Sequence, residues 1–348
     1  MPGKVSLGAG VYRDDNGESW TLPSGKQAIP LLPDNHDYLP QTGLAPFLSA
    51  ARKLLMGELS DDLDERLTSI QTISGIGACH VGAVFFINSM KLRNVWISDP
   101  SWINHSVTWE CVDSGVTRKF YPYYHAKARS FDFEGEAQKG DVLILQACAH
   151  NPTGLDPSKA QWSIIVDIYE KKSLVPFFDT AYQGFAAGDV DEDAWAIRPF
   201  TSRGTLEFGI AQSFPKNFGL YGERVGAFHL PAKDAAVKAA VQSQLVRIVR
   251  SEVSCSPAFG ARIVATVLNN PQLRRQWGEY TEGNGFADKS HANAGPVGHL
   301  VSQVGMFSYT GLSREQVRGR VSIPGLTTQN VMRVAAAMDT VVRNTSNS

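Results

Sequence analysis

QSFPKNFGLYGERVG, residues 212–226, decides how this chain is to be read. Lys216 follows Ser213 by three residues, and Arg224 comes eight residues later. Gly219, Gly222 and Gly226 lie between and after them, where they permit tight turns. A lysine amine forms Schiff bases with carbonyls, while a serine hydroxyl and an arginine guanidinium suit a phosphate monoester. The segment thus sets an amine nucleophile beside an anion clamp. A cofactor with both an aldehyde and a phosphate is pyridoxal phosphate.

Outward from the lysine, further motifs follow in order. VSLGAGVYRDDNG (Val5 to Gly17), DYLPQTGL, ISGIGA, SDPSWINH, AHNPTGLDP and FFDTAYQGFA precede it, and RSEVSCSPAFGA, GMFSYTGLSREQV and GRVSIPGL come after. AHNPTG, DTAYQGF and SFPKN together form a specific set. On these residues the chain resembles the aspartate aminotransferase family, class I enzymes of fold type I that use pyridoxal phosphate. The resemblance runs over nearly the whole chain.

Composition agrees with an ordinary soluble globular protein. The chain has 348 residues, 43% hydrophobic and 19% charged, enough for a substantial core in one large domain or two unequal ones. A formal net charge of -1 gives no reason to expect nucleic acid or an anionic membrane as partner. No apolar run approaches membrane-spanning length. The N-terminal residues show neither a signal core nor an arginine-rich transit pattern. Cys79, Cys111, Cys148 and Cys255 are scattered, which fits free thiols in a reducing compartment. The expected location is the cytoplasm.

Short β-rich runs alternate with helical patterns, which predicts an α/β fold with a mostly parallel sheet covered by helices on both faces. Strands are expected at 94–98, 118–123, 142–146, 174–178, 208–212 and 224–229, and helices at 45–56, 76–90, 157–171, 234–251 and 257–268. The motifs fall at strand ends, where open α/β sheets bind ligands. The resemblance divides the chain into residues 1–37 (small domain and interface), 38–268 (large cofactor domain) and 269–348 (C-terminal small domain). Residues 281–298, rich in Gly, Ala and Asn, read as loop where the family has a long helix.

The resemblance also implies roles. Asp179 pairs with the cofactor's pyridine nitrogen, and His105 orients that carboxylate from behind. Read by itself, Asp179 also suits a helix N-cap. Asn151 and Tyr182 hydrogen-bond the phenolic oxygen of the cofactor, and Trp102 stacks on its ring, where core packing is the alternative. Ser74 with the backbone of Gly75 and Ile76 at a helix start, then Ser213 and Arg224, receive the phosphate. Tyr38 reaches across a homodimer interface to the partner's phosphate. Gly10 lets the backbone approach the substrate, and Arg320 pairs with the substrate α-carboxylate. Arg250, with Ser254 nearby, serves the distal carboxylate in the partner's site; an exposed cation at a helix C-terminus is the alternative. A metal site is not expected: His80, His105 and His150 offer no ligand-spaced pair.

Lys216 then moves a proton during transamination, and Tyr182 and Asp179 assist. The implied reaction exchanges amino groups between L-aspartate and 2-oxoglutarate. Four departures from the family pattern bear on it. Ile76 stands where a threonine is usual, and Pro215 and Cys255 replace polar or small residues. EQVRGRVSIPG passes directly from a helix start to Arg320, without the intervening strand, and the N-terminal arm is absent. These keep two alternatives open: a relative acting on another amino acid, and a homologue that binds cofactor without turnover.

Overall fold

VLILQ is buried along its whole length and forms the strand Val142–Gln146. A continuous apolar run of this kind belongs in a parallel sheet covered on both faces. The computed structural model describes residues 10–11, 18, 20–57, 59, 63, 65–123, 137–204, 207–284, 307–308 and 321–322. In chain order the elements are α1 (Pro23–Ala28), α2 (Ala45–Met56), β1 (Leu67–Ile73), α3 (Ser74–Asn88), β2 (Asn94–Asp99), α4 (Ile103–Val112) and β3 (Thr117–Pro122). Next come β4 (Val142–Gln146), α5 (Lys159–Lys172), β5 (Val175–Thr180), α6 (Val190–Ala194), α7 (Arg198–Arg203), β6 (Gly209–Ser213) and β7 (Val225–Pro231). The helices α8 (Ala235–Glu252), α9 (Phe259–Asn269) and α10 (Pro271–Asn284) follow, then the short strands β8 (Phe307–Ser308) and β9 (Val321–Ser322).

Seven strands form one sheet in the order β1-β7-β6-β5-β4-β2-β3. β7 runs antiparallel to both its neighbours, and the other pairs are parallel. Neighbouring residues of β4 and β5 face opposite sides, as the pleat requires. Leu143, Leu145 and Phe178 join one core with Trp162 and Tyr169 of α5. Ile144 and Phe177 join another with Phe85 of α3 and Leu245 of α8. A third core gathers Leu22, Ala28, Phe47, Phe214, Phe218, Val264 and Trp277, so segments on both sides of the 38–268 range pack together.

The strands expected from sequence form within one or two residues of their predicted bounds. Ser158 and Gln161 build a capping box that starts α5 two residues later than expected. One reading is corrected. Thr281 to Asn284 complete α10 rather than opening a loop, and Thr281 is buried. The remainder of 281–298 lies outside the described residues.

Register carries the chain to its site. Ile73 pairs with Val225, and Ser213 with Gly226, which brings Ser74, Ser213 and Arg224 to one rim. Gln146 pairs with Asp179 at the adjacent strand ends.

His229 lies at the centre of this arrangement, fully buried in β7. Its Nε2 is 3.0 Å from Gln212 Oε1 and its Nδ1 2.8 Å from Ser69 Oγ, so the neutral ring donates to the amide oxygen and accepts from the hydroxyl. Burial pushes its pKa down to about 3, with Arg52 adding to the effect. The unfolded chain therefore binds a proton below its ordinary value near 6.5 that the folded chain refuses, and stability is lost as pH falls through that window. Asp193, whose carboxyl burial pushes up to about 6, works in the opposite sense, so a variant comparison isolates the histidine. His229→Gln is expected to be destabilised by about 1–3 kcal/mol at pH 7.5. That deficit shrinks by about 1.4 kcal/mol per pH unit between about pH 6 and 4.5. Urea unfolding across that range checks it; a deficit that stays constant with pH refutes the neutral buried ring.

Candidate active site

The carboxyl ends of β1, β4, β5 and β6 and the start of β7 surround a cavity of about 420 Å³. Eleven of the residues expected from sequence line it: Gly10, Ser74, Gly75, Ile76, Trp102, Asn151, Asp179, Tyr182, Ser213, Lys216 and Arg224. Lys216 Nζ donates to Tyr182 OH at 2.8 Å and sits 4.0 Å from the centre of that ring. Tyr182 is buried and Lys216 half-buried, so the amine faces the cavity from a fixed wall. Gly219, with φ of 65°, makes the turn after the lysine, and an added Cβ there would come 3.0 Å from Leu22 Cδ1 and 3.1 Å from the Trp20 carbonyl oxygen.

The opposite wall carries Asp179. His105 stands behind it, outside the cavity lining, with Nε2 2.9 Å from Asp179 Oδ2 and Nδ1 3.0 Å from Ser101 Oγ. Trp102 meets the His105 ring edge-on at 5.3 Å between centroids. Asp179 ends an apolar strand and is nearly buried, so the hydrogen bond from His105 is what keeps an acceptor from being stranded there. Cys79 also approaches; its ligand atom and those of His105 and Asp179 lie within 4.8 Å of one another. Burial, then the Asp179 charge, pushes the Cys79 thiol well above its ordinary value, and His105 is committed to the carboxylate. The set differs from the His80, His105 and His150 group weighed from sequence.

Asn151 is held through its backbone. Its N–H donates to Gln146 Oε1 at 2.8 Å, and its carbonyl accepts from Gln146 Nε2 at 3.1 Å. Sequence reasoning missed Gln146, though a polar residue closing the apolar run VLIL was a usable signal. Next to it His150 packs flat on Tyr123, 3.6 Å between ring centroids, with Ser98 and Thr153 hydroxyls on its two nitrogens. Burial, aided by His105, lowers the His150 pKa well below 6.5 and keeps that ring neutral.

At the rim, Ser74 and Arg224 both adopt left-handed backbone, with φ of 64° and 53°. Ser74 N–H donates to the Arg224 carbonyl at 2.9 Å, locking the start of α3 to the start of β7. A helix start leaves its first N–H groups without intrahelical acceptors and is suited to an anion. Ser213 presses against Gly75, where an added Cβ would come 2.7 Å from the serine Cβ. Gly222 needs neither a special φ nor close space, so the expected turn role falls to Gly219, while Gly226 lies in β7 and is needed for close approach to the Ser74 backbone. Asn104 and Tyr221 also line the cavity and were not singled out from sequence; Pro215, a departure from the family pattern, lines it too.

Tyr38 and Arg250 lie away from the cavity of their own chain. Tyr38 is 87% exposed, and Arg250 Nη1 donates to Ser254 Oγ at 2.8 Å on the surface. Arg320 lies outside the described residues; the next residues, Val321–Ser322, pair antiparallel with Phe307–Ser308.

A family model for class I and II aminotransferases matches residues 2–345. The chain belongs to the class I and II aminotransferases. It is 43% identical to the cytoplasmic aspartate aminotransferase of Saccharomyces cerevisiae, covering 98% of this chain and 91% of that one. It is 40% identical to an L-tyrosine:2-oxoglutarate aminotransferase of Aspergillus ustus, covering 97% and 73%. The solved structure of the yeast cytoplasmic aspartate aminotransferase superposes with a TM-score of 0.90 at 42% identity, over 99% and 93% of the two chains. An aromatic-amino-acid aminotransferase from Burkholderia pseudomallei, covalently bound to pyridoxal phosphate, superposes with a TM-score of 0.88 at 35% identity, over 98% and 93%. The alignment with the yeast enzyme spans 381 positions, more than the 348 residues of this chain, so this aminotransferase lacks internal stretches that the relative has. The stretch expected to be missing before Arg320 falls outside the described residues.

The family is pyridoxal-phosphate-dependent, and the residues present fit that group. An amine at Lys216, a histidine-backed carboxylate at Asp179 and a glycine-tight cradle at Ser74, Gly75 and Ser213 face one cavity. Its substrates are amino and 2-oxo acids. Among the described residues, no helix is long and apolar enough to cross a membrane.

Proposed function

We propose that this aminotransferase moves an amino group between L-aspartate and 2-oxoglutarate, giving oxaloacetate and L-glutamate, as a cytoplasmic homodimer with shared sites. The observation that carries the reading is Lys216 Nζ, 2.8 Å from Tyr182 OH, in a cavity that also holds Asp179 and Asn151. Two relatives named as cytoplasmic aspartate aminotransferases, at 43% and 41% identity, support the substrate and the compartment.

The bound cofactor supplies an electron sink for the pair released at the substrate α-carbon. Lys216 would hold the cofactor through its aldehyde, and its amine is the base placed to take the proton from the substrate α-carbon. Tyr182 OH orients that amine through their hydrogen bond and, with Asn151, would hydrogen-bond the phenolic oxygen of the cofactor. Asp179, steadied by His105, sets a carboxylate against the pyridine nitrogen. Ser74, Ser213, Arg224 and the N–H groups of Gly75 and Ile76 grip the phosphate. Ile76 offers that anion no side-chain donor. Trp102 covers the ring, and Gly10 borders the substrate. Arg320 takes the α-carboxylate. The division into a large domain at 38–268 and flanking small-domain segments belongs to the same reading.

What supports the homodimer is surface chemistry. Tyr38, Arg250 and Ser254 do not line their own cavity and are free to serve a partner's. Exposed Val107 and Val253 line an open apolar groove of about 540 Å³ that shares Ile76 and Asn104 with the site. The alternative substrate, an aromatic amino acid, is favoured by the Aspergillus ustus relative.

The test is the visible spectrum of the protein purified with pyridoxal phosphate, before and after L-aspartate, L-glutamate or L-tyrosine. Conversion to the pyridoxamine form by aspartate and glutamate is the expected result. Conversion by tyrosine alone selects the alternative, and a band that ignores all three leaves a cofactor binder without turnover.

A further inference from the structure

We propose that Asp193 is a positioning residue for the Lys216–Tyr182 pair, acting through the Gln183–Gly184 peptide; this rests on the roles assigned to those two residues above. Asp193 is 3% exposed and sits in α6, away from the cavity lining. Its Oδ2 accepts from Gly184 N–H at 2.8 Å and Ala186 N–H at 3.0 Å, and its Oδ1 from Ala187 N–H at 2.9 Å. Among the described residues no cation pairs with it. Burying such a carboxylate is unfavourable: burial pushes its pKa up to about 6 despite three donors. What it provides in return is one rigid acceptor for three backbone N–H groups of the 184–187 segment.

The turn it holds begins at Tyr182, whose carbonyl accepts from Phe185 N–H at 2.8 Å. The decisive unit is the Gln183–Gly184 peptide. Its N–H goes to Asp193, and its carbonyl accepts from Asn217 Nδ2 at 3.3 Å. Asn217 directly follows Lys216, and its own carbonyl accepts from the Trp277 indole at 2.8 Å. One peptide plane is therefore gripped on one edge by Asp193 and on the other by the neighbour of the lysine. Tyr182 and Lys216 stand one residue from either grip, and their 2.8 Å contact is set across it.

Asp193 is itself anchored. Asp189 caps α6 by accepting from the Asp191 and Glu192 N–H groups. Arg198 pairs with Asp191, and Lys159 of α5 pairs with Glu192 at 2.7 Å. The Gln183 side chain adds bonds to the Val190 and Leu54 carbonyls, so the turn cannot slide along α6.

The test compares holoenzyme of the wild type, Asp193→Asn, Tyr182→Phe and the double variant. Two quantities are read: the pH midpoint of the cofactor's visible band without substrate, and the single-turnover rate with L-aspartate. Asp193→Asn is expected to move the midpoint in the same direction as Tyr182→Phe, by at least about half a pH unit. It slows turnover about tenfold in the wild-type background and less than about twofold in the Tyr182→Phe background, because coupled residues are not additive. An unmoved midpoint, or an equal factor in both backgrounds, overturns the proposal and leaves Asp193 structural. Should Asp193→Asn fail to fold, Asn217→Ala breaks the other edge of the same peptide and must show the same non-additivity. If Tyr182→Phe itself moves neither quantity, the reading of the site fails and the positioning role falls with it.

Discussion

Lys216→Ala is expected to lower turnover by about four orders of magnitude or more, since it removes both the covalent anchor and the proton carrier. The same change should alter stability by only about 1–2 kcal/mol, because a half-buried lysine hydrogen-bonded to Tyr182 contributes on that order. The contrast between the two numbers is the substance of the prediction. Lys216 is not a core residue; it projects from a segment that Phe214 and Phe218 already pin into the core on either side. Tyr182 keeps its buried place without it, so the cavity persists and the chemistry is what disappears. Steady-state rates, a visible spectrum and a thermal melt on the same preparations check all three parts. A variant retaining more than about a hundredth of wild-type turnover removes Lys216 from the centre of the mechanism. Lys216→Arg separates charge from nucleophilicity: it keeps the cation beside Tyr182 and is expected to be as inactive as the alanine.

The lysine segment and the strands that frame it were legible because their physics is local. VLILQ and VPFFDT are apolar over their length and can only be buried strands, and the chemistry-bearing residues sit where those runs stop. LTSIQTI, by contrast, was not read as a strand, yet it forms β1 and is almost wholly buried. Most of its polar residues are satisfied by partners remote in sequence. Ser69 meets His229, Gln71 reaches the Pro257 carbonyl and the Leu44 N–H, and Thr68 reaches the Lys238 carbonyl. No periodicity in the segment announces those partners. INHSVTWECV in α4 is similar: His105 faces inward to serve Asp179, which breaks the apolar stripe that marks a surface helix. The site shows the same division. Residues that would touch the cofactor were named from motifs, whereas Gln146 and Asp193 act on the backbone of neighbouring loops and carry no motif. Gly222 went the other way, a glycine in the right segment whose position any residue can fill.

Gly226→Ala should damage the phosphate end of the cavity more than any other single methyl group. An added Cβ at Gly226 would lie 2.9 Å from Gly75 N and closer still to the carbonyl of Ser74. All of these are backbone atoms at the β1–α3 junction, so no side chain can swing aside. That junction is already constrained: Ser74 and Arg224 hold left-handed φ, and the Ser74 N–H to Arg224 carbonyl bond fixes their spacing. Relief requires β1 and β7 to part, which opens the bond and moves Ser74 and Gly75 away from Ser213. The expected stability loss is about 2–3 kcal/mol, the range for forced overpacking. Pyridoxal phosphate affinity is expected to fall at least about 100-fold, equivalent to about 2.7 kcal/mol. Gly222→Ala supplies the control in the same segment. Nothing lies within 4 Å of its added Cβ, so it should stay within about 0.5 kcal/mol of wild type and bind cofactor unchanged. Cofactor titration of the apo proteins, with urea unfolding alongside, measures both quantities. If Gly226→Ala is destabilised but binds the cofactor as tightly as Gly222→Ala, the phosphate does not sit in the Ser74–Ser213–Arg224 cradle. If it binds weakly and is also as stable as wild type, the strands part without strain, and the cradle's geometry rather than its rigidity is what the anion requires.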